Sequence, residues 1–458
     1  MLVRPGVLMS SSVGTGEGGS PAPLSPAALL AQQWAPGSAD ALVLNFIDDY
    51  HAASGHFGSA YVKHAATTAN DYDSHPYGLL SYTSPSAKMV RGPDGEYRFG
   101  AHNLYVNSAA SSNQSITVLS GADYAVTVTG TVSVTASGAA SGTWTAGTHN
   151  FTAATGTLTL GSTSGAGTVH VRRTPSDPTY LSTSGSPRYA LPFEWDADGN
   201  LLGILCEPAR TNVFLNSATG STQDCTVTAA AWTLSFWGTG SITLSGAHSA
   251  TLDGTGDDDR VSLTFTPSAG TLGLAVSGTC SRVQLELGEY ATSYIPTYGA
   301  TVTRAVDNIS LAASKFAAGT PITMLAAYRT GASSINNGYA AALHNGTATE
   351  FIGVRTASSN AGVVVLDGNV PQAQMSVKSI SPFEIVRHGI SAAPNSVNVC
   401  ANGSLGTRDT SATMPTVTVL EVGIVPLIGS SQSRHMQTLI VLPIDSDDAG
   451  LQAWGTAP

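Results

Sequence analysis

The sequence predicts an all-β protein made of tandem antiparallel β-sandwiches of jelly-roll type, and three features carry that prediction. Apolar and polar residues alternate through most of the apolar stretches, as in Tyr124-Ala125-Val126-Thr127-Val128-Thr129. Alternation sends one face of a strand into a core and the other into water, the pattern of antiparallel sheets. Gly-containing turns separate these stretches at short intervals, which favours sandwiches. A block of roughly 100 residues also occurs twice, a period that means duplicated domains rather than a solenoid.

Composition narrows the class. At roughly 100–200 residues per domain, a chain of 458 residues holds three or four domains. Charged residues make up 11%, well under the roughly 25% of ordinary globular proteins, while 42% hydrophobic content excludes a disordered polar polymer. Surfaces of Ser, Thr and Gly are associated with rigid extracellular or virion proteins. A net charge of −11 with no basic run argues against binding nucleic acid. No apolar run approaches the ~20 residues of a membrane span, so no membrane insertion is expected. The first nine residues are too short and too broken by Pro5 and Gly6 for a signal peptide. A chain made in the cytosol fits best.

Residues 1–40 have linker chemistry, rich in Ser, Gly and Pro, with one short apolar segment at 26–34 able to form two helical turns. An arm that orders on a partner and an unanchored terminus remain alternatives. Residues 41–83 open with the strand Ala41-Leu42-Val43-Leu44-Asn45-Phe46-Ile47 and continue through a loop containing His51, His56, His64 and His75. Those spacings do not suit a metal; hydrogen-bonding loop or interface roles are expected.

The first copy of the repeat, residues 84–186, runs through the turn Pro93-Asp94-Gly95 to Asn103-Leu104-Tyr105-Val106-Asn107-Ser108. The second copy, 187–306, turns at Asp198-Gly199 and reaches Asn212-Val213-Phe214-Leu215-Asn216-Ser217. Gln114 matches Gln223, and Thr179-Tyr180-Leu181 matches Ser293-Tyr294-Ile295. The offset between copies grows along the chain, so insertions fall in loops while strands keep register. Trp232 and Phe236 share a strand face and are expected in a core. Cys206, Cys225, Cys280 and Cys400 lack zinc-site spacing. Cys225 and Cys280 lie in strands of one copy, as a disulfide or as buried thiols. No metal and no cofactor are expected.

From 307 onward a third unit offers at least seven strand candidates, at 322–328, 351–354, 362–366, 383–386, 396–400, 417–420 and 437–441. That number fits one jelly-roll sandwich. Residues 445–454 read as a short helix with acidic residues in its first turn, as the helix dipole favours.

Two motifs resemble segments of tailed-bacteriophage fibre and structural proteins. One is Leu202-Gly203-Ile204-Leu205-Cys206-Glu207-Pro208-Ala209-Arg210-Thr211-Asn212, the other Gln284-Leu285-Glu286-Leu287-Gly288 with Ala291-Thr292-Ser293-Tyr294-Ile295-Pro296-Thr297 and Val302-Thr303-Arg304-Ala305. They bracket residues 187–306; the first copy has Ala101-His102-Asn103 where the Glu-Pro-Ala-Arg-Thr-Asn box would stand. The C-terminal unit is similar to concanavalin-A-like, laminin-G-like lectin domains through Ser396-Val397-Asn398-Val399-Cys400-Ala401-Asn402-Gly403 and the closing strand with its Ser446-Asp447-Asp448-Ala449 helix. The resemblance implies tandem sandwiches in an elongated homotrimeric fibre on a virion. Its N-terminal arm would bind other virion proteins, and its lectin-type unit would bind host-surface polysaccharide.

Glycan binding needs flat aromatic faces and donors or acceptors for hydroxyls. The candidates are Tyr339, His344, Asn345, Arg355, Asp367, Asn369, Asn402 and Arg408 on the lectin-like unit, with Trp144 in the first repeat. Glu207, Arg210, Asn212, Asn216 and Arg304 are assigned instead to a structural clasp. There Arg210 takes Glu207 as a bidentate acceptor, and the pair knits the entrance of the second copy to the closing Thr303-Arg304. No catalytic residues are assigned. Asp257-Asp258-Asp259 falls in a Gly-rich turn, and nothing in the spacing demands that Glu350 and Asp367 pair as a glycosidase's carboxylates would. The expected protein is non-enzymatic. A purely structural capsid or tail decoration protein and a polysaccharide depolymerase are the rivals.

Overall fold

A computed structural model of the chain describes residues 42–47, 50–52, 62–63, 80–83, 86–162, 165–312, 321–332, 338–429 and 432–456. The arm at 1–40, its short helical segment and the side chains of His51, His56, His64 and His75 lie outside the described residues. The chain is all-β, its strands arranged in antiparallel sheets that face one another across apolar cores. The C-terminal helix forms at Asp448–Thr456, with Asp447 Oδ1 accepting the Gly450 N–H at 2.7 Å as its cap. Among the described residues no helix is long and apolar enough to cross a membrane.

Each repeat folds as a four-stranded sheet facing a three-stranded one. The alternation read in the sequence becomes burial: in Asp123–Val128, Tyr124, Val126 and Val128 enter the first core. Trp232 and Phe236 enter the second. The shared residues do the same work in both copies. Asn103 Oδ1 accepts the N–H groups of Tyr105 and Val171, both at 3.0 Å, and Nδ2 donates to Leu181 O at 2.9 Å and Val169 O at 3.4 Å. Asn212 repeats this with Phe214, Leu285, Ile295 and Val283. Gln114 clamps the backbone N–H and C=O of Val106 through both amide atoms, and Gln223 does the same to Leu215. Ser108 meets Tyr180 Oη at 2.7 Å, and Ser217 meets Tyr294 Oη at 2.8 Å. Asn107 and Asn216 hold the same left-handed turn, at φ 53° and 51°, which asparagine tolerates better than most residues.

The C-terminal sandwich is discontinuous in sequence. Its seven-stranded sheet includes Ser81–Thr83, which pairs with Asn308–Ala312 so that Thr83 lies opposite Asn308. In the ten-stranded sheet, Arg434–Leu442 has Ile322–Thr330 along one edge. Along the other edge lie Leu42–Asn45 and Leu201–Cys206, one beyond the other. The unit assigned to 307–458 therefore draws strands from 42–45, 81–83 and 201–206. The physical reason is burial: Leu42, Leu44, Phe46, Ile204 and Cys206 enter the same core as Ile322 and Val354. Closing a longer loop costs only about 0.6 kcal/mol per doubling of its length.

Several sequence expectations change. Trp144 is only 9% exposed and stacks on His149 and Phe151 in the first core, so it is no open platform. Of the two alternatives for Cys225 and Cys280, buried thiols is the one found: all four cysteines are buried and free. Asp257, Asp258 and Asp259 lie on the long strand Gly256–Phe265, exposed, rather than in a turn.

Glu207 does not take Arg210 as its partner. It accepts Arg304 Nη1 at 2.7 Å and the N–H and Oγ of Ser293 at 2.8 and 2.6 Å, with Lys88 Nζ 3.4 Å away. Lys88 also binds Asp307, which accepts Tyr82 Oη at 2.9 Å and the Glu207 N–H at 2.7 Å. Burial alone would raise the Glu207 carboxyl. Arg304, Lys88 and the Ser293 hydrogen bonds outweigh it and bring the pKa down to about 2. Arg210 sits elsewhere, 3.9 Å from Glu286 and over the Tyr290 ring. Arg210 lies on the strand Arg210–Asn212, directly opposite Arg304. The clasp joins the second repeat to the C-terminal sandwich through Tyr82, ahead of both repeats, and Lys88, near the start of the first.

Candidate functional site

The outer face of the seven-stranded sheet brings two of the proposed glycan residues together. Tyr339, on Gly338–His344, lies directly opposite Arg355, on Phe351–Ala357. Strand pleating explains the grouping: Ile352, Val354 and Thr356 point inward, while Phe351, Gly353 and Arg355 share the other face. The Tyr339 ring packs edge-on to Phe351 at 5.1 Å and covers Gly353, where a Cβ would lie 2.7 Å from it.

Arg355 is half-buried, and its guanidinium has no hydrogen bond or ion pair among the described residues; its Nε is buried and unmatched. On its far side stands Gly362, where a side chain would collide with the Met375 carbonyl at a β-bulge. The cation is thus left between an aromatic ring and a residue with no side chain. Burying a donor without an acceptor costs on the order of 1–3 kcal/mol, and an arginine fork suits two oxygens at once. The arrangement can hold a ring against Tyr339 and donate to hydroxyl or carboxylate oxygens.

The remaining candidates disperse. Asn345, Asp367 and Asn369 lie at one end of this sheet, on the turns after Gly338–His344 and Asn360–Asp367. Asn345 Oδ1 accepts the Thr347 N–H and hydroxyl at 3.0 and 2.7 Å, and Asp367 accepts the Thr413 hydroxyl. Glu350 staples the same loops, one oxygen to Gly368 N–H at 2.7 Å and the other to Thr416 N–H at 3.2 Å. Among the described residues no group of three His, Cys, Asp or Glu side chains is placed to hold a metal.

His344 is buried, its Nδ1 accepting Gly346 N–H and its Nε2 3.5 Å from Glu421. Asn402 closes a hairpin, accepting Arg387 N–H at 2.7 Å and donating to Glu384 at 2.9 Å. Arg408 ties the C-terminal helix down through Asp448 at 2.6 Å and Asp445 at 3.2 Å. These three side chains are occupied in holding the sandwich together.

One residue with no sequence signal stands out. Phe383 is 57% exposed at φ +60°, on the outer face of the other sheet. In the sequence Phe383 opens the strand candidate 383–386, whereas the strand begins at Ile385 and Phe383 sits in the turn before it. An exposed aromatic is visible only once its backbone conformation is known.

No family model matches the chain, and no curated protein matches it. Solved structures that share part of its layout include a Ruminococcus gnavus sialidase carbohydrate-binding module with sialyllactose. That match has 14% identity and a TM-score of 0.26, and covers 29% of this chain and 80% of that one. A botulinum neurotoxin DC binding domain matches at 10% identity and a TM-score of 0.27, over 33% of this chain and 39% of that one. A Trypanosoma rangeli sialidase matches at 10% identity and a TM-score of 0.26, over 32% and 26%. The last two matches thus span well under half of those proteins.

Proposed function

We propose that this chain is a tailed-bacteriophage virion protein, a head or tail fibre whose C-terminal sandwich binds host-surface glycan. The observation that carries the glycan reading is Arg355, a half-buried cation without a hydrogen bond or ion pair among the described residues, lying opposite Tyr339 on the outer face of the sheet. The ligand it suits is a saccharide with a carboxylate or paired hydroxyls. One ring face would rest on Tyr339, and the oxygens would accept from the guanidinium. The two motifs bracketing residues 187–306 support the virion assignment. In that reading the N-terminal arm anchors the chain to other virion proteins, the subunits form a homotrimer, and no chemistry is performed.

The test is binding of the intact chain to an array of host-surface polysaccharides. Arg355→Ala is expected to weaken the bound glycan at least tenfold, and Arg355→Lys to recover part of the loss. Failure to bind any host polysaccharide, or full binding by Arg355→Ala, would sink the reading and favour a purely structural component. Antibody labelling of intact particles in the electron microscope tests head against tail.

A further inference from the structure

We infer that a second saccharide subsite lies on the opposite face of the C-terminal sandwich, built on Phe383, Arg329 and the Glu194–His435 pair. Four residues form a row across the outer face of the ten-stranded sheet. Ile385 lies opposite Arg329, Arg329 opposite His435, and His435 Nε2 meets Glu194 Oε2 at 2.7 Å. The Phe383 ring stands at the end of this row, its centroid 6.0 Å from the Arg329 guanidinium.

The loop that presents Phe383 is firmly held. Ser381 N–H donates to Glu384 Oε2 at 2.8 Å, Glu384 N–H to Thr330 Oγ1 at 2.9 Å, and Thr330 Oγ1 to Ser381 O at 2.8 Å. Asn402 Nδ2 holds the other Glu384 oxygen. The loop thus fixes a large apolar side chain in water, on a left-handed backbone that only glycine adopts freely. Strain of this kind, on the order of 1–3 kcal/mol, persists where surrounding structure imposes it and gathers at binding sites.

Size decides what the face would take. The exposed apolar surface is one ring and one isoleucine side chain, Ile385 being 50% exposed. A protein interface needs roughly 800 Å² per partner, far more than that. The apolar face of one pyranose matches it. Polar groups of both signs follow along the row: Arg329 makes no hydrogen bond or ion pair among the described residues, and Glu194 and His435 offer an acceptor and an imidazole. Hydroxyl groups need donors and acceptors together, which favours an uncharged sugar here, unlike the isolated cation at Arg355. From Ile385 to His435 the row crosses two strand spacings, roughly 10 Å, the span of a disaccharide.

The experiment is saturation-transfer NMR on the intact chain with methyl β-cellobioside, methyl β-lactoside and a methyl α-mannobioside. At least one is expected to bind through its ring protons. Phe383→Ala should weaken it at least tenfold and Phe383→Tyr no more than threefold, while Arg355→Ala changes it less than twofold. The melting temperature of Phe383→Ala should hold within 2 °C, since the ring packs in no core. Binding of none of the three sugars, or an unaffected Phe383→Ala, overturns the inference. Loss of all signal in Arg355→Ala would mean a single site, and also overturns it. Self-association that Phe383→Ala abolishes, without sugar binding, would assign the face to protein contact instead.

Discussion

Asn103 and Asn212 occupy matching places in two sandwiches and make the same four hydrogen bonds, two accepted and two donated, to matching backbone groups. Each is fully buried, so truncation strands backbone N–H and C=O groups that water cannot reach. Asn212→Ala and Asn103→Ala should each cost about 2–4 kcal/mol, read as a lowered urea midpoint. A loss below about 0.5 kcal/mol for either would show that the asparagine is incidental to its sandwich.

The Glu207 clasp predicts an acid dependence of definite sign. Its carboxyl is lowered from 4.5 in the open chain to about 2 in the fold. A lowered acid contributes stability that is present above pH 4.5 and lost as pH falls toward 2. At about 1.4 kcal/mol per pKa unit, the contribution is on the order of 3 kcal/mol. Glu207→Gln should therefore be clearly less stable than the parent at pH 6, with the gap narrowing steadily below pH 4.5. A gap that stays constant down to pH 2.5 would exclude this linkage.

A second pH effect begins higher. His388 is buried against Tyr328, with its Nδ1 3.2 Å from Tyr328 Oη. Burial, helped by the Arg434 charge, pushes its pKa from 6.5 down to about 3. Below pH 6.5 the unfolded chain binds a proton that the fold refuses, so stability declines from pH 6.5 downward. His388→Gln should flatten that decline between pH 6.5 and 4 in chemical denaturation. An unchanged slope would show that other groups set it.

The cysteines should be silent in the native protein. Burial, with the Asp224 charge, raises the Cys225 thiol to about 11, and burial raises Cys280 as well. A thiol so raised carries little thiolate at pH 8. Ellman's reagent should titrate none of the four thiols in an hour at that pH and all four in guanidinium, and reductant should leave the melting temperature unchanged. Rapid labelling of Cys225 in the folded chain would contradict its burial.

Arg210 gives a test that separates architecture from binding. It lies over Tyr290 and near Glu286, on the second repeat. Arg210→Ala should lower the melting temperature by several degrees while glycan affinity changes less than twofold. The reverse result would move Arg210 into a binding site.

What could be read beforehand was what local chemistry fixes. The Asn-x-x-x-Asn-Ser pattern carries its own hydrogen-bond geometry, so the repeat was visible, as was the alternation that places Tyr124 and Val126 inside. The sequence pairs Glu207 with Arg210 because they are neighbours, whereas the fold gives Glu207 to Arg304, and Lys88 carries no local mark of a buried salt bridge that reaches past an entire sandwich. Trp144, in Ser-Gly-Thr-Trp-Thr, reads the same whether its ring faces water or, as found, Phe151. Of the glycan candidates, strand pleating decides that Tyr339 and Arg355 meet, and a one-residue bulge at Tyr339 would be enough to hide it. The partner of Leu42-Val43-Leu44 was invisible because pairing of an apolar strand is set by which core has room for it.

That last pairing has a consequence in time. Leu42 lies opposite Val441, so the first of these strands leaves the ribosome long before its partner exists. At ~5–20 residues per second, roughly 400 residues take about 20–80 s to make. Both repeats have their sequences complete within that interval, while the edge of Leu42–Asn45 that does not face Tyr50–Ala52 waits for its partner. The closing strand Arg434–Leu442 then seals both waiting segments, Leu42–Asn45 and Leu201–Cys206, in one step. Nascent chains stopped before residue 434 should hold folded repeats and a protease-sensitive segment around residue 42, and that sensitivity should vanish once residue 442 has emerged.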